Sequence, residues 1–291
     1  MKNLVKLGIA ALMASASINV TAQNKNADRE NSILWEVTGN GLSKPSYITG
    51  TCHIMCSKDF EIKPKVLKAL EKSDSFVMEI NYTDPAEMIA LQRMFQTDKK
   101  ISDQLTGEEA KELDQILTEY GTSLKNMDTS SSQALYALIS MKAVPCPQTE
   151  IKAYEIELMQ AALKQKKSIN GLEKVEDQLT SINKAYDLKE VIKQLKMGKE
   201  YEALLQGMVN AFKKEDVESV YNLFKNDKFM NDKQEKAMLT DRNKNWAEKM
   251  PEMMKKESSL FAVGGAHLMG ENGIIKLLRS KGYTVKPISS L

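Results

Sequence analysis

The spacing of apolar residues changes twice along the chain, from short strand-like runs to a helical period and back. Ile33 to Thr38 and Ser46 to Thr49 read as strands, separated by Gly39-Asn40-Gly41, a turn sequence that accepts positive φ. The pair predicts a β-hairpin. Val66 to Leu70 predicts a short helix with Pro64 near its start. A strand over Ser75 to Glu79 follows, carried by Phe76, Val77 and Met78, and Asp84-Pro85 opens another helix. Strand, helix and strand in that order imply an α/β sheet.

From about residue 85 to 255 the period is helical. The clearest segment is Lys199 to Phe212, where Tyr201, Leu204, Leu205, Met208, Val209 and Phe212 form one apolar face at 3.6-residue spacing. Only Ser168 to Gly171 reads as a strand there. The chain then returns to α/β. Leu260 to Val263 is a strand, Gly264-Gly265 a tight turn, Asn272 to Lys281 a helix closed by Gly282, and Tyr283 to Ile288 a last strand. The expected architecture is α/β: a mixed sheet from the N- and C-terminal segments with a large helical insertion, in one domain over residues 33–291.

Composition adds three constraints. The 291 residues are 42% apolar, enough for a sizeable core, but Phe, Trp and Tyr are few and Met is abundant at 17. Met159, Met197, Met208, Met230, Met238, Met250, Met253 and Met254 lie in the helical stretch and are read as adaptable core filler. The first 22 residues carry Lys2 and Lys6, an apolar stretch from Leu7, and Val20-Thr21-Ala22, the anatomy of an export signal cut near Ala22. Residues 23–32 form a polar lead-in. The expected location is therefore periplasmic or secreted.

The leading apolar run is too short for a permanent anchor, and no later one reaches the roughly 18 residues of a membrane span. Without the two leading lysines, 39 basic residues balance 39 acidic ones. A net charge of zero argues against nucleic acid or an anionic membrane as partner. Oligomeric state is not encoded in any pattern found. Thr129 to Ser132 is the one low-complexity tract, and no repeat is present.

The only two histidines carry the candidate chemistry. His53 ends Gly50-Thr51-Cys52-His53 and His267 ends Gly264-Gly265-Ala266-His267, each directly after a predicted strand. In open α/β sheets ligands bind at that strand edge, and glycine lets the backbone turn sharply there. One shared site is the simplest account of the repeated pattern. Two imidazoles suit a divalent metal such as Zn, Mn, Co or Fe. A third ligand is needed, and Glu79 is the first candidate because its strand could lie beside the one leading to His53. Glu173, in Asn170-Gly171-Leu172-Glu173, is the second. Arg242, in a helical stretch, could neutralise an oxyanion or be a salt-bridged helix residue.

With these residues in place, the chain resembles the TraB/GumN family, which is related to the Tiki metalloproteases. The resemblance rests on Trp35-Glu36-Val37, Pro45 through His53, Glu79, Gly171-Leu172-Glu173 with Gln178, Arg242-Asn243 with Trp246, and Gly264 through Leu268 with Gly270 and Gly273. It covers residues 34 to 288. It implies an α/β fold with a helical insertion, paired Gly-x-x-His motifs at the active site, and a metal-dependent peptidase using Mn or Co. It assigns His53 and His267 to the paired histidines, Glu79 and Glu173 to the family acids, and Arg242 to the family arginine. Cys52 departs from the pattern, since an apolar residue such as Ile is commoner before the first histidine.

Three cysteines, Cys52, Cys56 and Cys146, leave at least one unpaired. Cys52 and Cys56 are near enough to bridge, while Cys146 lies in the turn Pro145-Cys146-Pro147. A serine nucleophile is disfavoured, as no Gly-x-Ser-x-Gly elbow occurs. The expected function is an exported metal-dependent hydrolase, a peptidase or amidase with a metal-activated water and a peptide or small-molecule substrate. Catalytic roles fall to Glu79, Glu173 and Arg242, and the metal to His53, His267 and Glu79. The alternative is a non-catalytic peptide- or haem-binding protein of the same fold.

Overall fold

A computed structural model describes residues 31–289. The expected export signal over residues 1–22 and the lead-in up to residue 30 lie outside the described residues. Ser32, the last lead-in position, is buried, and its hydroxyl donates to the Ile288 carbonyl at 2.7 Å.

Eight strands occur among the described residues: β1 (Leu34–Gly39), β2 (Ser46–Thr51), β3 (Ile54–Cys56), β4 (Ser75–Met78), β5 (Ile151–Ala153), β6 (Ser168–Gly171), β7 (Ser259–Gly264) and β8 (Tyr283–Pro287). Six of them form one mixed sheet in the order β6-β4-β7-β2-β1-β8. β1 and β2 make the expected hairpin, with Leu34 opposite Thr49. Its turn places Gly39, Asn40 and Gly41 at φ of 81°, 48° and 82°, the left-handed region that glycine and asparagine tolerate best. β8 runs antiparallel along the outer side of β1. The four strands β6, β4, β7 and β2 are mutually parallel.

β2, β4 and β7 are buried along their whole lengths, as expected of parallel strands covered on both faces. Phe76, Val77, Leu260, Phe261, Ala262 and Val263 fill the centre of the main core. The helix predicted by periodicity over Lys199 to Phe212 is present as Gly198–Lys213. Met250 and Met254 are buried in the main core, with Met159, Met208 and Met253 packed against it, so these methionines do fill core space. A second core, built on Leu113, Leu117, Leu135, Ile139, Val191 and Leu195, holds much of the helical insertion together.

Two details differ from the sequence reading. β4 lies beside β7, the strand that leads to His267, and β7 separates it from β2, which leads to His53. Hydrophobic pattern cannot fix the order of strands that are all buried on both faces. The insertion also contains a strand that periodicity missed. β5 has only three residues, and it pairs with β3 in a separate two-stranded ribbon, Ile54 opposite Ala153 and Cys56 opposite Ile151.

That ribbon is closed by a disulfide between Cys56 and Cys146, with Cα atoms 6.0 Å apart. The bridge is therefore not the short Cys52–Cys56 one. Cys52 is unpaired and buried, and burial, with Glu155 nearby, pushes its thiol up to about 12. A thiol that stays protonated is not a nucleophile.

Candidate active site

Each of the four parallel strands delivers one charged or imidazole side chain just past its C-terminal end. β6 leads to Glu173, β4 to Glu79, β7 to His267 and β2 to His53. The register aligns these ends, with Thr51 opposite Gly264 and Met78 opposite Gly171. All four residues therefore gather at one edge of the sheet, where α/β folds place ligands. Arg242 enters from above on the helix Asp241–Lys256, whose buried face also carries Asn243 and Trp246. A π-helical turn over Lys236–Thr240 precedes it, and its Met238 carbonyl accepts from Arg242 Nη1 at 3.1 Å.

Arg242 is the hub. Its Nη2 donates to Glu79 Oε2 at 2.5 Å and to Glu173 Oε1 at 2.7 Å, its Nε donates to Glu173, and its Nη1 reaches His267 Nε2 at 3.2 Å. With the Met238 carbonyl, every guanidinium N–H is engaged. Glu173 also accepts from Trp246 Nε1 at 3.0 Å and from Gln178 at 3.2 Å. The guanidinium lies over the Trp246 ring, 4.6 Å from its centroid. Arg242, Glu79 and Glu173 are all buried, so these contacts offset a large desolvation cost.

The two imidazoles are held alike. His267 Nδ1 lies 2.6 Å from Asn243 Oδ1, and His53 Nδ1 lies 2.6 Å from Glu155 Oε1. Each Nε2 is thereby left on the far side of its ring, free of the contact that fixes Nδ1. His267 Nε2 is 4.0 Å from that oxygen. A Cβ built on Gly264 would lie 3.2 Å from His53 Nε2 and 3.5 Å from Glu79 Oε1, so both line one small space that the missing side chain leaves open. The Gly264 N–H donates to the same Glu79 oxygen at 2.8 Å.

Electrostatics separate the histidines. His53 is 62% exposed at its side chain, and the Glu155 carboxylate raises its pKa to about 9. His267 is 5% exposed, and burial together with Arg242 lowers it to about 3. Burial opposes the charge on Glu79, but Arg242, the imidazoles and the Gly264 N–H hold it at about 2. Burial moves Glu173 the other way, above its ordinary value, against Arg242 and Trp246. Glu155 is lowered despite its burial, chiefly by His53.

Sequence reasoning missed Glu155. It sits in the first turn of the helix Tyr154–Lys164, where an acidic residue reads as an ordinary partner of the helix dipole. The β3–β5 ribbon brings it to His53: the Tyr154 N–H donates to the His53 carbonyl at 3.1 Å. The Thr51 hydroxyl also donates to Glu155.

A divalent cation, as the family resemblance implies, fits these residues in two respects. His267 Nε2 lies 4.0 Å from Glu79 Oε1, and His53 Nε2 borders the same cradle at Gly264. Glu79 and Glu173 pair with Arg242 while Glu155 pairs with His53, so three carboxylates meet two cationic groups and the cluster keeps an excess of negative charge. Nevertheless, among the described residues no group of three or more His, Cys, Asp and Glu side chains meets as a metal-ligand set. Arg242 Nη1 faces the His267 lone pair instead.

The fold and the site together define a mixed α/β protein whose paired Gly-x-x-His motifs and buried acid–arginine cluster meet at the C-terminal edge of a parallel sheet. The chain belongs to the TraB/PrgY/gumN family, whose profile matches residues 33–287. No curated protein and no solved structure matches it. Among the described residues no helix is long and apolar enough to cross a membrane.

Proposed function

We propose that the chain is an exported hydrolase of peptide or other amide bonds, working with a divalent cation held by His53, His267 and Glu79. The observation that carries this reading is the matched pair of imidazoles, each fixed at Nδ1 by a side-chain oxygen, with His267 Nε2 4.0 Å from Glu79 Oε1 and His53 Nε2 bordering the same space at Gly264. Such outer hydrogen bonds are the usual means of orienting a ligating histidine. When bound, the cation would acidify a water and polarise the scissile carbonyl.

The chain's own residues do the rest. Glu155 and Asn243 set the imidazole tautomers and orientations. Glu79 is kept ionised between them. Glu173, itself held by Gln178 and Trp246, holds the Arg242 guanidinium, which in turn fixes Glu79 Oε2 and leaves Oε1 to the Gly264 N–H and the side of His267. This makes Arg242 a positioning residue, since its N–H groups are already engaged. His53, exposed beside Gly264, marks the side from which a substrate would enter. The Cys56–Cys146 bridge suits an oxidising compartment and so supports export.

The test is direct. Protein stripped with a chelator and reloaded separately with Mn, Co, Zn or Fe is assayed on a quenched-fluorescent peptide library, with bound metal measured by mass spectrometry. Hydrolysis is expected only in a reloaded sample, together with loss of both metal and activity in His53→Ala/His267→Ala. A double variant that retains either one refutes the site.

A further inference from the structure

A polar cavity open to solvent lies away from the histidine site, among the end of the helix Pro85–Arg93, the start of the helix Ser132–Ala143 and the helix Val175–Ala185. Its volume is about 280 Å³. The Thr129–Ser132 tract borders it. The rim is closed by a bridge between Gln96 and Ser130, by the Thr97 N–H to the Thr129 carbonyl at 3.0 Å, and by the Ser131 N–H to the Phe95 carbonyl at 3.1 Å. The polar tract is thus part of a built wall.

The lining chemistry is one-sided. Arg93 and Lys99 supply two cations, neither of which makes an ion pair among the described residues. No carboxylate lines the cavity. The remaining polar groups are hydroxyls and amides, among them Gln96, Ser132, Gln133 and Asn183. Gln133 is 94% buried, because its relative exposure is only 6%. Its amide nitrogen donates to Asn183 Oδ1, and Asn183 is itself exposed at the mouth, so the Gln133 carboxamide is held at the cavity wall with its Oε1 making no hydrogen bond among the described residues.

We propose that this cavity is a binding site for a small hydroxylated anion, a sugar acid or related hydroxy acid. Arg93 and Lys99 would take the carboxylate, Arg93 through its planar fork. The amide and hydroxyl groups of Gln96 and Ser132, with Gln133 Oε1 and Asn183 Nδ2, would pair with ligand hydroxyls, as both donors and acceptors. The site is independent of the hydrolase reading, since it shares no residue with the histidine cluster.

Three probes separate the two halves of the recognition: gluconate, which has the charge and the hydroxyls; sorbitol, which has the hydroxyls only; and acetate, which has the charge only. Calorimetric titration of the full chain should give saturable binding of gluconate, with acetate and sorbitol each at least about tenfold weaker. Arg93→Ala/Lys99→Ala should abolish the preference for gluconate over sorbitol. Gln96→Ala/Ser132→Ala should abolish the preference over acetate. Arg93, Lys99 and Gln96 are exposed, so these variants should fold, as an unchanged Tm would show. Saturable gluconate binding that none of the variants weakens, or no saturable binding at all, overturns the proposal. So does equal binding of acetate and gluconate.

Discussion

His267 Nδ1 meets Asn243 Oδ1 at 2.6 Å, and the rest of that amide determines which imidazole nitrogen carries the proton. Asn243 Nδ2 donates to the carbonyls of His267 and Asn272, at 3.2 and 2.9 Å. Its Oδ1 must therefore face the ring as an acceptor, which puts the proton on Nδ1 and the lone pair on Nε2. Asn243→Asp places a carboxylate against Nδ1 and should raise the His267 pKa well above its present value of about 3. Proton NMR checks this readily in a chain with only two histidines. A ring that still titrates in its wild-type range would show that the contact is not made.

Glu155 should govern the other histidine. Glu155→Gln removes the charge that raises His53, so its pKa should fall from about 9 toward the ordinary value of roughly 6.5. Stability should follow. A raised histidine contributes fully below its unfolded pKa and loses that contribution as pH climbs through the folded one. Wild-type protein should thus weaken between about pH 6.5 and 9, and the variant should lose that part of the slope. His267, lowered by burial, acts oppositely: its contribution is present above the unfolded pKa and is lost as pH falls toward about 3. Denaturant midpoints measured across this range read both limbs.

Arg242 holds two buried carboxylates, so Arg242→Met should cost about 3–5 kcal/mol, the usual penalty for leaving buried charge unpaired. The loss should shrink on mild acidification, which lets the orphaned carboxyls protonate. Arg242→Lys should recover only part of it, because one ammonium cannot reproduce the fork shared by Glu79 and Glu173. A midpoint close to wild type in Arg242→Met would contradict the hub role.

The Cys56–Cys146 bridge ties the loop after His53 to the segment before Glu155. A ribbon of three residue pairs is marginal by itself. Cys56→Ser/Cys146→Ser should lower stability by about 2–5 kcal/mol and return the His53 pKa toward normal, because Glu155 loses its fixed approach. Thiol titration of the wild type should find one reactive thiol on denaturation and none in the native state, where Cys52 is buried. Three reactive thiols on denaturation would mean that the bridge does not form.

Much of this was legible in the chain itself. Strand and helix periods, the Gly-Asn-Gly turn and the closing Gly282 are local signals, so the hairpin, the long helix and the α/β ends could be read directly. The two histidines stood out because each repeats a glycine-led pattern after a strand. Glu155 could not be found that way, since a first-turn glutamate is common in helices and its partner lies on another element. Nor could the disulfide, because the three-residue strand β5 has no periodicity to detect.

The sequence by itself determined which elements form and which residue types stand at the strand ends, because hydrophobic period and turn chemistry act within a few residues. Only the tertiary structure decided that four strands align their C-terminal ends, that β7 separates β4 from β2, and that Arg242 reaches Glu79, Glu173 and His267 together. Those are contacts between distant segments, set by how buried faces pack and how buried charges find partners, and neither is written in any local stretch.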